Sequence, residues 1–248
     1  MSLNTSGREP SALSFTLHLR KILPVAIKVW SVATVFYIGV LLFGQSVDVP
    51  IGELTRDPAV LTHTPYYFGF LSNFGALIWA AAAAICFLGY IASRQRSHPI
   101  GNSSFLLVSG LLTTLLLMDD FFLLHEEVIP IYLGIPEKLF VASYGLIILL
   151  YLIIYRNTVL KSEYPLLGSS FFFLGFSMGL DLVPFSIPGR YIFEDGAKFL
   201  GIVTWLLYFG RMVLNEVRLN ADSVDASAYE AKNTYKQVNI NQVKNSPG

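Results

Sequence analysis

Six apolar stretches recur along the chain, at about 22–44, 66–92, 105–124, 139–155, 166–183 and 192–212. Each reaches or approaches the roughly 20 residues that cross a bilayer core. Inside hydrocarbon every backbone N–H and C=O must be satisfied within its own segment or by a closed barrel. No stretch here alternates like a barrel strand, so all six are predicted to be helices. Composition agrees. Of 248 residues, 54% are hydrophobic and 14% charged, too few charges to coat a soluble surface. The predicted fold is all-α, a polytopic transmembrane helix bundle of about six spans.

Three regions follow. A polar N-terminal segment covers 1–21, and the membrane domain covers 22–212. A polar tail, 213–248, is rich in Asn, Ser, Lys and Asp and lacks periodicity. It is predicted to be mostly disordered, with the last helix reaching about Leu219. The basic residues ahead of the first apolar run resemble a secretory leader. The polar lead-in is long, however, and no small-residue cleavage site follows, so a retained first helix is expected. Zero net charge gives no sign of a nucleic-acid partner. Cys86 is the single cysteine, which excludes an internal disulfide and a multi-cysteine metal site.

Lysine and arginine in the short loops set orientation. Thirteen of the seventeen lie on one side: Arg8, Arg20, Lys21, Lys28, Arg94, Arg96, Arg156, Lys161, Arg211, Arg218, Lys232, Lys236 and Lys244. That face, carrying both termini, is predicted to be cytoplasmic. The acids show the reverse bias. Asp48, Glu53, Asp57, Asp119, Asp120, Glu126, Glu127, Glu137, Asp181, Glu194 and Asp195, eleven of seventeen, fall on the outer side. Acids count little in the insertion rule, so topology alone does not require this excess.

Depth concentrates the excess. The stretch LLLMDDFFLLHEEVIP (115–130) begins as an apolar run and ends with five ionisable groups in nine residues. Asp119 and Asp120 lie roughly 6–8 Å inside the outer edge of the third span, at 1.5 Å per helical residue. Asp181 closes the fifth span, and Glu194, Asp195 and Lys198 open the sixth. Helical spacing puts Asp119 on one face with Glu126, and His125 about a third of a turn away. It also allows Lys198 to pair with Glu194 or Asp195 on its own helix. Across the bundle, Lys198 can neutralise one of Asp119, Asp120 and Asp181. A charge in hydrocarbon is costly unless paired, hydrated or neutralised. The leftover carboxylates therefore predict an outward-facing pocket that binds a cation, a proton or a small polar ligand. Its predicted lining is Asp119, Asp120, His125, Glu126, Asp181, Glu194, Asp195 and Lys198. Asp119, His125 and Glu126 are the first metal ligands to test, and a divalent cation is the one cofactor this chemistry suggests. Glu127 and Glu137 read as interfacial charges, and Asn73 as a further polar group at matching depth.

Three segments, MDDFFLLHEEVIP, FSMGLDLVP and FEDGAKFLGIVTWLLYF, resemble a widespread group of uncharacterised bacterial multi-pass membrane proteins. In these an acid pair precedes Leu-His-Glu, a later span ends in Gly-x-acid, and the last span opens with two acids. The resemblance implies a bacterial cytoplasmic membrane location and no named chemistry. Lys198 stands where another acid would be expected, which argues for a self-neutralised pocket. Membrane hydrolases of the alkaline ceramidase type carry a histidine pair near the chain end. Here no histidine follows His125. Two other functions fit the same residues. One is an accessory or structural subunit, with a membrane protein as partner and the charges as clamps. The other is a metal-dependent membrane enzyme, in which a histidine and carboxylates serve as ligands or as general acid and base.

Overall fold

A computed structural model describes residues 12–94, 103–182 and 189–244, and of 12–19, 21 and 219–244 the backbone alone. Arg8 and Arg96 of the basic face lie outside the described residues. The chain divides into two compact units, 1–68 and 69–248. Among the described residues there is no strand.

The first unit holds α1 (Ala12–Ser46) and two short helices, α2 (Ile51–Thr55) and α3 (Pro58–Thr62). Gly44 lets the α1 end meet the chain returning behind it, since a Cβ there would sit 2.7 Å from Leu54 Cδ1. Asp57 caps α3 by accepting from the Ala59 N–H at 2.8 Å, and Pro58 fills the first helical position, where no N–H is needed.

The second unit holds α4 (Phe70–Arg94), α5 (Ser103–Phe122), a π-helical segment (Leu124–Leu133), α6 (Glu137–Ile154), α7 (Arg156–Leu160), α8 (Tyr164–Asp181) and α9 (Arg190–Lys244). Among the described residues, five helices are long and apolar enough to cross a membrane: 22–46 of α1, α4, α5, α6 and 190–218 of α9. The expected fifth span is α8, of 18 residues. Its three serines and Asp181 dilute its hydropathy, and it falls outside that set.

Trp205 of α9 sits at the centre of the second unit, fully buried. Its ring meets Trp79 of α4 edge-on at 5.6 Å and Phe171 of α8 at 5.3 Å, and its Nε1–H donates to Thr113 Oγ1 of α5 at 2.9 Å. One side chain thus links α9 to three other helices. Without water between helices, small residues and such polar links do the joining. Ser109 of α5 bonds the Tyr151 hydroxyl of α6 at 2.7 Å, and Ser170 of α8 donates to the Gly201 carbonyl of α9 at 2.7 Å. Gly201 needs its missing side chain, because a Cβ would stand 2.7 Å from Leu174 Cγ and 3.1 Å from the Leu174 backbone nitrogen. Gly175 and Gly179, the GxxxG of the fifth span, have open space where a Cβ would be. At the helix ends opposite the acids, Arg211 grips both Glu163 oxygens at 2.5 Å. This guanidinium holds the Glu163 carboxyl below its ordinary range.

Helix α9 continues beyond the sixth predicted span to Lys244. No glycine or proline interrupts the stretch 213–244.

Candidate functional site

The sequence-predicted acids do come together at one end of the second unit, by a local geometry that regular helical spacing does not give. Helix α5 stops at Phe122, and Leu123 takes a left-handed conformation (φ 52°, ψ 43°). For a leucine this costs on the order of 1 kcal/mol. The chain then winds into the wider π-helix, in which the Val128 N–H reaches the Leu123 carbonyl five residues back at 3.2 Å. Short π segments of this kind are rare and frequent at functional sites.

The left-handed turn swings His125 back onto Asp119. Both are buried, each about 5% exposed. The carboxylate accepts twice: the His125 backbone N–H donates to Oδ1 at 3.0 Å, and the ring Nδ1–H to Oδ2 at 2.6 Å. The sequence reading put His125 a third of a turn away from Asp119 on a continuing helix. The break at Leu123 overturns that spacing. Burial works against the charged imidazole, but the Asp119 and Glu126 carboxylates outweigh it and hold His125 above its ordinary pKa. Burial raises Glu126, opposed by His125 and Lys198.

With Nδ1 committed to Asp119, Nε2 is the free ring atom. Glu126 Oε1 lies 3.6 Å from it, too far for a hydrogen bond. His125, Glu137 at the start of α6 and Asp181 at the end of α8 each offer a ligand atom within 4.8 Å of the others. The metal set predicted from sequence, Asp119, His125 and Glu126, is thus rearranged. Asp119 orients the histidine, and Glu137 and Asp181 join it in place of Asp119 and Glu126. Sequence reasoning left Glu137 among the interfacial charges. The one available signal was its place in the first turn of a helix behind Ile-Pro.

Lys198 reaches across to α5 and pairs with Asp120. The pairing with Glu194 or Asp195 on its own helix is not formed. Glu194 instead pairs with Arg190, Nε to Oε2 at 3.3 Å, four residues apart. Asp195 is exposed, as are Glu127 and Asn73. The Tyr144 hydroxyl of α6 is buried beside Asp119, close enough to feel its charge. Nothing in the sequence singled Tyr144 out. An apolar groove of about 500 Å³ runs between α8 and α9, lined by Phe172, Phe176, Ile192 and Phe193 among others. Its near-wholly apolar lining suits lipid or packing.

No curated protein and no solved structure matches the chain. Residues 25–212, which include every residue of this site, match the profile of a domain of unknown function, DUF8692. That match covers about three quarters of the chain, and the protein belongs to the DUF8692 family.

Proposed function

We propose that this is an integral membrane protein of six spans with both termini cytoplasmic, and that its outward-facing acid–histidine pocket binds a cation. Helix α8 serves as the fifth span: its 18 residues extend about 27 Å, near the thickness of the hydrocarbon core. Six spans bring thirteen of the seventeen lysines and arginines to one face.

The observation that carries the cation reading is the direction of His125. Asp119 commits both oxygens to it, which leaves Nε2 free, 3.6 Å from Glu126 Oε1, while Glu137 and Asp181 each bring a carboxylate oxygen within 4.8 Å of a ring nitrogen. Two cations near the acids are engaged, Lys198 with Asp120 and Arg190 with Glu194, and Lys138 beside Glu137 is exposed to solvent. Three carboxylates around one imidazole leave an excess of negative charge in a half-buried place, and a bound cation offsets it.

A ligand that binds only the folded state stabilises it by about 2.7 kcal/mol at a hundred times its Kd. The full chain in detergent is therefore expected to melt higher with at least one of Na⁺, K⁺, Mg²⁺, Ca²⁺, Mn²⁺ and Zn²⁺, saturably, and His125→Gln is expected to abolish that shift. A melting temperature indifferent to all six ions would sink the reading.

A further inference from the structure

We infer that the pocket is a first-row divalent transition-metal site, with His125 Nε2, Glu137 and Asp181 as protein ligands and Asp119 as a positioning residue. The inference rests on the cation-binding reading above and names its ion and ligands.

Spacing is the first support. Two atoms bound to one tetrahedral ion at about 2.1 Å stand about 3.4 Å apart. The 3.6 Å from His125 Nε2 to Glu126 Oε1 is too long for a hydrogen bond and close to that value. The donor atoms of His125, Glu137 and Asp181 lie within 4.8 Å of one another, so side-chain rotation of about an ångström closes them on an ion. Glu126, already at ligand spacing, is the neighbouring acid for a fourth position or for a bound water.

The shell behind the ligands is the second support. A metal-bound imidazole almost always gives its other N–H to a carboxylate or carbonyl, which fixes the tautomer and aims the lone pair. Asp119 does this through Nδ1 and locks the same residue through its backbone N–H. Holding a histidine this way spends a buried carboxylate and a left-handed leucine to present one bare nitrogen to two acids. The Tyr144 hydroxyl, buried beside Asp119, is a further polar group in the shell behind the ligands.

Donor chemistry selects the ion. An imidazole disfavours Mg²⁺ and Ca²⁺, which take oxygen ligands, and the absence of thiolate and thioether from this donor set disfavours Cu⁺. One nitrogen with carboxylate oxygens suits Zn²⁺, Fe²⁺ or Mn²⁺, and Zn²⁺ outbinds the other two at a given site. The lysine that the sequence offered as a rival occupant is held by Asp120. Three protein ligands leave a tetrahedral position open for water or an anionic group, as in sites that do chemistry.

The test uses the tag-free full chain, purified in detergent from zinc-supplemented cells, with metals counted by elemental mass spectrometry. The chain and its exposed-acid control Glu53→Gln are expected to carry about one zinc each, with nitrogen and oxygen scatterers alone at the zinc X-ray absorption edge. Glu137→Gln and Asp181→Asn, isosteric changes at half-exposed positions, are expected to lose most of it. Asp119→Asn is expected to weaken zinc about 10–100-fold while leaving the ligand types at the edge unchanged, the mark of a positioning residue. Circular dichroism and gel filtration confirm that each variant is folded, and re-addition of zinc to stripped protein is expected to raise Tm in the wild type and the control but not in Glu137→Gln or Asp181→Asn. Full zinc in both Glu137→Gln and Asp181→Asn would overturn this ligand set while leaving cation binding intact. So would a wild type that takes no transition metal yet melts higher with Na⁺ or Ca²⁺. Indifference to every ion would overturn both readings.

Discussion

Asp119→Asn is expected to lower the unfolding free energy of the detergent-solubilised protein by about 3–5 kcal/mol, the cost of breaking a buried, hydrogen-bonded charge pair. The reason is specific to this carboxylate. Both of its oxygens accept from one residue, the His125 backbone N–H and the ring Nδ1–H. An asparagine keeps one acceptor for the backbone N–H and turns its NH₂ on the ring, so the ring either loses its acceptor or must give up the Nδ1 proton, and the charge pair is lost in both cases. The α5 terminus then loses what offsets a left-handed leucine. Denaturant titration followed by tryptophan fluorescence measures the change. A loss below about 1 kcal/mol, the scale of an ordinary neutral hydrogen bond, would show that Asp119 does not hold the turn.

Lys198→Met is expected to destabilise by a similar amount, about 3–5 kcal/mol, because it strands the Asp120 carboxylate, whose side chain is only 9% exposed. The pair itself adds little to stability. Replacing both partners with apolar groups of similar size is often neutral or better. The Asp120→Leu/Lys198→Met double variant is therefore expected to recover most of the loss, with a coupling energy well above the 0.3–0.5 kcal/mol that separates independent sites. Additive losses in the same titration would mean that Lys198 serves another acid.

Much of this could be read without coordinates, and the remainder has identifiable causes. The helices announced themselves because a bilayer demands long apolar runs, and five of the predicted spans coincide with helices of that length and hydropathy. The concentration of acids at one end was legible for the same reason, since each lies where an apolar run stops. The contacts among them were not. Extending α-helical spacing through FFLLHEE placed His125 off the Asp119 face, and no residue there signals that Leu123 turns left-handed. Lys198 had acids three and four residues away on its own helix. Its long side chain instead crosses to Asp120, a partner that only the packing of α5 against α9 supplies. Glu137 looked like any acid at a helix start until the turn of His125 showed what faces it.

The most direct test of an outward-facing cation site is removal of its metal by a membrane-impermeant chelator in vesicles of known sidedness. Vesicles with the cell exterior outward and inverted vesicles, both carrying the full chain, are treated in parallel. The protein is then purified and its metal counted. The expected result is loss of the metal from the outward-facing vesicles and its retention in the inverted ones. Loss from the inverted vesicles alone, or no metal to remove from either, would contradict it.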